Sequence, residues 1–217
     1  MSATSIELKA PAKLNLFLHV VGRRTDGMHL LESVFVLIDL CDDIVLELDP
    51  SGKISRTGDV IGDMDKDLCV RAARRLQQIS GTTIGCRIHV TKRIPAGAGM
   101  GGGSSDCAST LMGLNKLWGL NWPQEKLMSI GESLGADVPF FLFGQTAFAQ
   151  GTGGILMPIA VPQAWVAVAM PSKPTSTALI FQHPALTRDT KSLKISALSQ
   201  QLSSQWPELI GRNDLQP

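Results

Sequence analysis

RIHVTKRIPAGAGMGGGSSDCASTLMGLNKL, residues 87–117, is the stretch on which the fold turns. Its opening alternates Arg87 and His89 with Ile88 and Val90, the period-two pattern of a strand, and predicts one over 85–91. Glycines follow at 97, 99, 101, 102 and 103. From Ser104 onward Ala108, Leu111, Met112, Leu114 and Leu117 form an apolar face, which predicts a helix over 104–117. A strand feeding a glycine loop that opens a helix favours an anion. Glycines let the backbone approach closely, successive N–H groups form a concave nest, and a helix start adds unpaired donors and the positive end of a dipole. Pro95, Ala96, Gly97, Ala98, Gly99, Met100, Gly101, Gly102, Gly103, Ser104 and Ser105 are therefore the candidate phosphate-binding residues. The plainer alternative is a flexible connection with Ser104 as N-cap. So many glycines cost backbone entropy that a simple connection does not need.

Several phosphate sites can be compared with this pattern. Gly97, Gly99 and Gly102 satisfy G-x-G-x-x-G, so an NAD-dependent oxidoreductase is a rival reading. The strand before them is half-polar, unlike a buried parallel strand. About 20 residues on, where an acidic residue should end a strand, Asn121-Trp122-Pro123 reads as a turn. No GxxxxGK[ST], HRD or DFG occurs, which excludes a P-loop and argues against a protein kinase.

Of the 217 residues, 44% are apolar and 18% charged, enough to bury a core and too apolar for general disorder. The formal charge is +1, from 20 Lys and Arg against 19 Asp and Glu. There is no basic excess for a nucleic-acid partner. Cys41, Cys69, Cys86 and Cys107 form no CxxC pair, against a zinc ribbon, a thioredoxin-type site or a disulfide framework. Residues 1–10 carry Glu7 and Lys9 and lack the apolar core of a signal peptide. The apolar stretch 155–170 is broken by Pro158, Pro162 and Gln163 and falls short of the roughly 20 residues of a membrane span. These features predict a reduced, cytoplasmic, globular protein with no membrane partner.

Elsewhere, 6–21 reads as strand, with Ala12, Leu14, Leu16, Leu18 and Val20 on one face and Lys13, Asn15, Phe17 and His19 on the other. A charged turn follows at 22–27. A second β region covers 30–40 and 43–48, split by Asp39, Cys41, Asp42 and Asp43. Residues 50–63 read as hairpin or loop, 67–79 and 124–134 as amphipathic helices, and 166–169 as a strand core. A loop occupies 171–174 and a helix opens within 175–181. Past Pro184 the signal weakens.

Two polar positions stand out. Spacing alone favours a solvated outer face for Lys13 and Asn15. The small residues Ala10-Pro11-Ala12 leave room for a ligand, and a lysine there can neutralise a transferring phosphoryl group. Asp137 precedes the apolar run 138–143. It reads equally as a helix N-cap, with Pro139 in the first turn, or as a partly desolvated general base.

Taken together, APAKLNLFLHVVGRRTDGMHLLESVF (10–35), IPAGAGMGGGSSDCASTL (94–111) and LGADVPFFLFGQTAFAQGTG (134–153) resemble the GHMP kinases. That superfamily includes galactokinase, homoserine kinase and mevalonate kinase. Within it, the resemblance is to the family that phosphorylates a cytidine-diphosphate-linked methylerythritol in the non-mevalonate isoprenoid pathway. It covers nearly the whole chain and is weakest over 187–209. It implies an α+β, two-lobed GHMP kinase fold. Residues 1–155 would form a ribosomal protein S5 domain 2-like ATP-binding lobe, and 156–217 the start of a ferredoxin-like C-terminal lobe, truncated here.

The resemblance implies ATP-dependent phosphorylation of the substrate's 2-hydroxyl. Residues 95–105 would wrap the ATP phosphates, with Mg²⁺ near Ser104 and Ser105. Lys13 and Asp137 match the catalytic pair, with Asn15 beside them. His29 matches the residue that reads the cytosine edge, and Phe181 an aromatic that stacks on the base, with Thr177 nearby. From the residues alone, His29 reads as a surface histidine and Phe181 as a core residue. Met28 stands where the family usually has Tyr, a less rigid contact for a ring. The chain stops at GRNDLQP, where family members continue into a third glycine-rich motif. The expectation is a weakly active or inactive form with exposed apolar surface. Another GHMP small-molecule kinase and a non-catalytic nucleotide-binding fragment are the alternatives.

Overall fold

The computed structural model describes residues 3–59, 62–170, 177–207 and 211–216, with the side chains of Thr177 and Ala178 excepted. The chain divides into two units. The first holds Met1–Ala12, Ile38–Ala96 and Met100–Gly144; the second holds Lys13–Leu37, Gly97–Gly99 and Gln145–Pro217.

Two long strands contribute to both units: β1 (Ser5–Arg23) and, paired with it, β2 (His29–Asp49). The expected split of the second β region does not occur. Asp42 is fully buried, and its carboxylate is engaged by the Lys92 ammonium and by the backbone N–H groups of Arg93 and Ile94. An acidic residue spent on a cross-connection no longer competes for local turn bonds.

In the first unit, β3 (Ile54–Gly58), α1 (Leu68–Ser80) and β4 (Gly85–Thr91) form a strand–helix–strand crossover. β4 pairs antiparallel with β2, Asp43 opposite Thr91 and Asp49 opposite Gly85, and parallel with β3, Ile54 opposite Cys86. The region expected as hairpin or loop therefore contains a strand. A hairpin would be antiparallel, whereas a parallel neighbour needs a helical crossover, and α1 provides it. The backbones come close here: a Cβ at Gly85 would lie 2.0 Å from the Lys53 carbonyl oxygen. α1 starts where Asp67 accepts from the N–H groups of Cys69 and Val70 at 2.8 and 3.2 Å, and ends at Gly81, φ 69°.

Ile44, Leu46, Ile88 and Val90 face inward from the sheet. Val70, Ala73 and Leu76 of α1 are buried too, as are Leu111 and Leu114 of α2 (Gly102–Leu117). Each such large aliphatic side chain contributes about 1.5–3 kcal/mol when fully buried. Met112, expected on that inner face, is exposed. α3 (Gln124–Glu132) and α4 (Val138–Phe143) pack together, and α4 also packs on α2.

In the second unit, residues 31–35 of β2 pair antiparallel with β5 (Ala147–Gly151), which pairs antiparallel with β6 (Ile155–Pro158). Two helices follow, α5 (Thr177–Gln182) and α6 (Ile195–Gln205). Leu198 and Leu202 of α6 bury against Phe17, Val34, Phe148 and Ile159. Glu32 is buried and accepts from Gln150, Ser192 and the N–H of Leu193. The expected strand at 166–169 is absent. These residues pair with no strand among those described, and Val166 and Val168 are exposed beside a Trp165 that is 100% exposed. The loop expected at 171–174 lies outside the described residues. The mostly antiparallel pairing, with β4 antiparallel to β2, is not the doubly wound sheet that the NAD rival requires.

Candidate functional site

The segment between β4 and α2 is held at both ends by apolar anchors. Ile94 and Met100 are buried, while Ala96, Gly97 and Gly99 are exposed between them. Gly97, Gly99 and Gly101 have φ of 73°, 72° and 72°, while Ala98 and Met100 stay out of the positive region. Such alternation turns successive N–H groups towards one side, the geometry of an anion nest. Only glycine takes the positive positions without strain. α2 starts at Gly102, two residues earlier than expected, so its N-cap is Gly101 rather than Ser104, and no side chain caps it. Ser104 then falls in the first turn, half-buried. Ser105 is fully buried, with its hydroxyl lacking a hydrogen-bond partner among the described residues.

Below this helix start lies a charged cluster. The Lys92 ammonium bonds the Asp42 carboxylate and, at 2.6 Å, Asp106 Oδ2. Burial lowers the Lys92 pKa, but the two carboxylates outweigh it and hold the ammonium above its ordinary value. One cation is shared by two acids. Asp42 also accepts from two backbone N–H groups, whereas Asp106 Oδ1 has no hydrogen-bond partner among the described residues. Asp106 is thus the acid that takes the proton: burial pushes it up to about 7, against the pull of Lys92. Its folded value lies above the unfolded 3.8, so its stabilising contribution is present below that pH and lost as pH rises through about 7. Asp106→Asn should flatten the decline of stability between those limits. Urea midpoints measured at several pH values check it, and an unchanged slope would assign the titration elsewhere.

Asp137 occupies the N-cap position of α4, with Pro139 in the first turn as expected. Its own backbone is helical, φ −89° and ψ −11°, and its carboxylate makes no capping bond. The capping reading is therefore not met. The same segment approaches α2 within the first unit: a Cβ at Gly135 would lie 3.7 Å from Ser104 Oγ.

The second unit holds the other candidates. Lys13 is only 4% exposed, so the solvated-face reading of β1 fails: Phe17 and His19 on that face are buried as well. Lys13 Nζ donates to Asn15 Oδ1 at 3.1 Å and stands 4.0 Å above the Phe35 ring. His29, at the start of β2, stacks on Phe181 of α5, centroids 4.9 Å apart and planes 28° apart. Both residues are half-buried, and Phe181 also packs against the core cluster of Leu18, Val20 and Leu186. Burial, then the guanidiniums of Arg188 and Arg23, lowers the His29 pKa. Met28 is 51% exposed, its N–H donating to Asp26 Oδ1. Thr177 opens α5, and its side chain lies outside the described residues. The structure thus brings together the helix start, Ser104 and the Asp137 segment in one unit. In the other it groups Lys13 with Asn15 and Phe35, and His29 with Phe181.

The model of the GHMP kinases N terminal domain matches residues 67–145. 4-Diphosphocytidyl-2-C-methyl-D-erythritol kinase of Burkholderia mallei (strain SAVP1) is 49% identical over 211 residues, 96% of this chain and 72% of that protein. Its namesake from Thiobacillus denitrificans (strain ATCC 25259 / T1) is 52% identical over 209 residues, with the same two coverages. A crystal structure of 4-(cytidine 5'-diphospho)-2C-methyl-D-erythritol kinase matches with a TM-score of 0.81 at 34% identity, covering 97% of this chain and 75% of that one. The chain belongs to the 4-diphosphocytidyl-2-C-methyl-D-erythritol kinase family. It is accordingly a small-molecule kinase with the α+β GHMP fold.

Two parts of this kinase escaped the sequence reading. Arg188 donates Nε–H to His29 Nε2 at 3.3 Å, from a stretch without a motif. Phe35 lies under the Lys13 ammonium from the middle of an apolar run. The β region read over 30–40 carried no mark that would set Phe35 apart from a core residue. No helix among the described residues is long and apolar enough to cross a membrane, and no cluster of three His, Cys, Asp or Glu side chains among them could hold a metal.

Proposed function

We propose that this chain transfers the γ-phosphoryl group of ATP to the 2-hydroxyl of 4-diphosphocytidyl-2-C-methyl-D-erythritol. The observation that carries the reading is the uncapped start of α2 behind alternating left-handed glycines, in a chain about half identical to kinases of that name. The amides of 97–105 bind the polyphosphate. Ser104, in the half-buried first turn, is the hydroxyl suited to hold Mg²⁺, which neutralises phosphate charge; Ser105 lies inward beneath it. Asp137 takes the proton of the attacking hydroxyl as its oxygen bonds the γ-phosphorus and the bond to the ADP oxygen breaks. Lys13, oriented by Asn15, stabilises the charge that develops. His29 reads the base edge, with Phe181, Met28 and Thr177 around the ring. We propose residues 1–155 as the ATP-binding lobe and 156–217 as the beginning of the second, although by packing 13–37 and 145–155 group with the C-terminal residues. The four unpaired thiols support a reducing, cytoplasmic setting.

The test is a transfer assay read by mass spectrometry with the cytidyl substrate, Mg²⁺ and ATP, beside thermal unfolding with ATP and with NAD. Phosphorylated substrate, and protection by ATP but not NAD, is the expected result. Protection by NAD alone, or by neither nucleotide, would overturn the reading, and protection by ATP without transfer would favour the non-catalytic nucleotide-binding fragment instead.

A further inference from the structure

Arg188 makes four side-chain hydrogen bonds near the proposed base site, and no motif or resemblance accounts for it. Its Nη1 donates to the Leu186 carbonyl at 3.0 Å, and its Nη2 to the carbonyls of Phe181 and His183 at 3.1 and 2.9 Å. Three main-chain acceptors therefore fix the guanidinium plane at the end of α5. The Nε–H points at Nε2 of His29, 3.3 Å away. A guanidinium has no acceptor and keeps its charge in proteins. The imidazole nitrogen it meets must then be the bare one.

We propose that Arg188 is a positioning residue for base recognition, holding His29 in the tautomer with its proton on Nδ1 so that the ring offers a hydrogen-bond donor to the pyrimidine. Cytosine carries a bare N3 acceptor, whereas uracil carries N3–H. A ring locked as donor therefore selects cytosine over uracil, because the uracil edge would set donor against donor. Stacking on Phe181, whose own carbonyl is held by the same arginine, fixes the orientation of the ring. Double protonation would place a second N–H against the guanidinium. Burial and the charges of Arg188 and Arg23 disfavour that form. The inference rests on the cytidyl substrate proposed above and adds how one pyrimidine is told from another.

The test uses the ¹⁵N-labelled full chain and long-range proton–nitrogen spectra, which distinguish histidine tautomers; the His29 signals are those lost in His29→Gln. CDP and UDP are titrated in parallel by calorimetry. The wild type should show the Nδ1–H form and prefer CDP by about tenfold, the value of one hydrogen bond of about 1.4 kcal/mol. Arg188→Met should move the ring towards Nε2–H and bring the two affinities together. Arg188→Lys, which restores an N–H donor without the fork, should recover part of both effects. An Nδ1–H ring in Arg188→Met, an Nε2–H ring in the wild type, or a CDP preference that survives the change of tautomer would each overturn the proposal. Phosphoryl transfer is not read here, so failure of the kinase assay and failure of this inference remain separate results.

Discussion

Asp137→Asn is expected to lower turnover by about 10²-fold or more while leaving ATP affinity nearly intact. Asn keeps the size and shape of the side chain and removes only its ability to accept a proton. The alternative role is a helix cap, for which Asn serves as well as Asp. The carboxylate makes no side-chain cap bond to α4, so the substitution removes no capping interaction there. Steady-state rates and an ATP titration on the same preparation decide it. Equal turnover in variant and wild type would remove Asp137 from the chemistry and return it to a structural part. Loss of ATP binding together with rate would instead indicate a disturbed helix start near Ser104.

Lys92→Met should destabilise the first unit by about 3–5 kcal/mol, the usual cost of removing one member of a buried charged group. The lysine side chain is 14% exposed, and its two carboxylate partners are less so. Without the ammonium, Asp42 and Asp106 confront each other across a desolvated site, and at least one must take up a proton. The apolar chain of Met fills the space, so the loss reflects charge rather than a cavity. A second variant, Lys92→Met with Asp106→Asn, should recover part of the loss, because one stranded carboxylate disappears. Denaturant unfolding of both variants measures it. A loss below about 1 kcal/mol, the range of exposed pairs, would mean that water reaches the cluster.

Much of the first unit could be read directly. Residues 85–91 alternate and form β4 with those bounds, because one face of that strand meets a core and the other does not. Asp67 and Gly81 bracket α1 as acid cap and left-handed stop. The glycine loop was legible for a related reason: left-handed backbone demands one residue type. Other elements left weaker traces. β3 carries Ile-Ser-Arg-Thr-Gly and owes its pairing to the crossover, which no local pattern records. α6 did carry a signal, Ile195, Leu198 and Leu202 at helical spacing, diluted by the serines and glutamines between them. In β1 the alternation was correct, but it could not show that Lys13 shares a buried face with Phe17 and His19. Asp42, in a run of acids that resembled a break, proved to be an anchor for another segment's amides. The family resemblance supplied Lys13, Asp137 and His29; it said nothing of Arg188, whose role arises from a contact across 159 residues of sequence.

The missing cap on α2 has a consequence for how nucleotide and protein are linked. Gly101 has no side chain with which to close the helix, and Ser104 sits too far inside the first turn to do so. If polyphosphate occupies the loop as proposed, it supplies the acceptors that an aspartate or serine would supply elsewhere. The nucleotide then behaves as a removable residue of the protein: ordering the opening turn and gripping the ligand become one event, and a mutation that tightens the helix on its own would weaken the need for its guest.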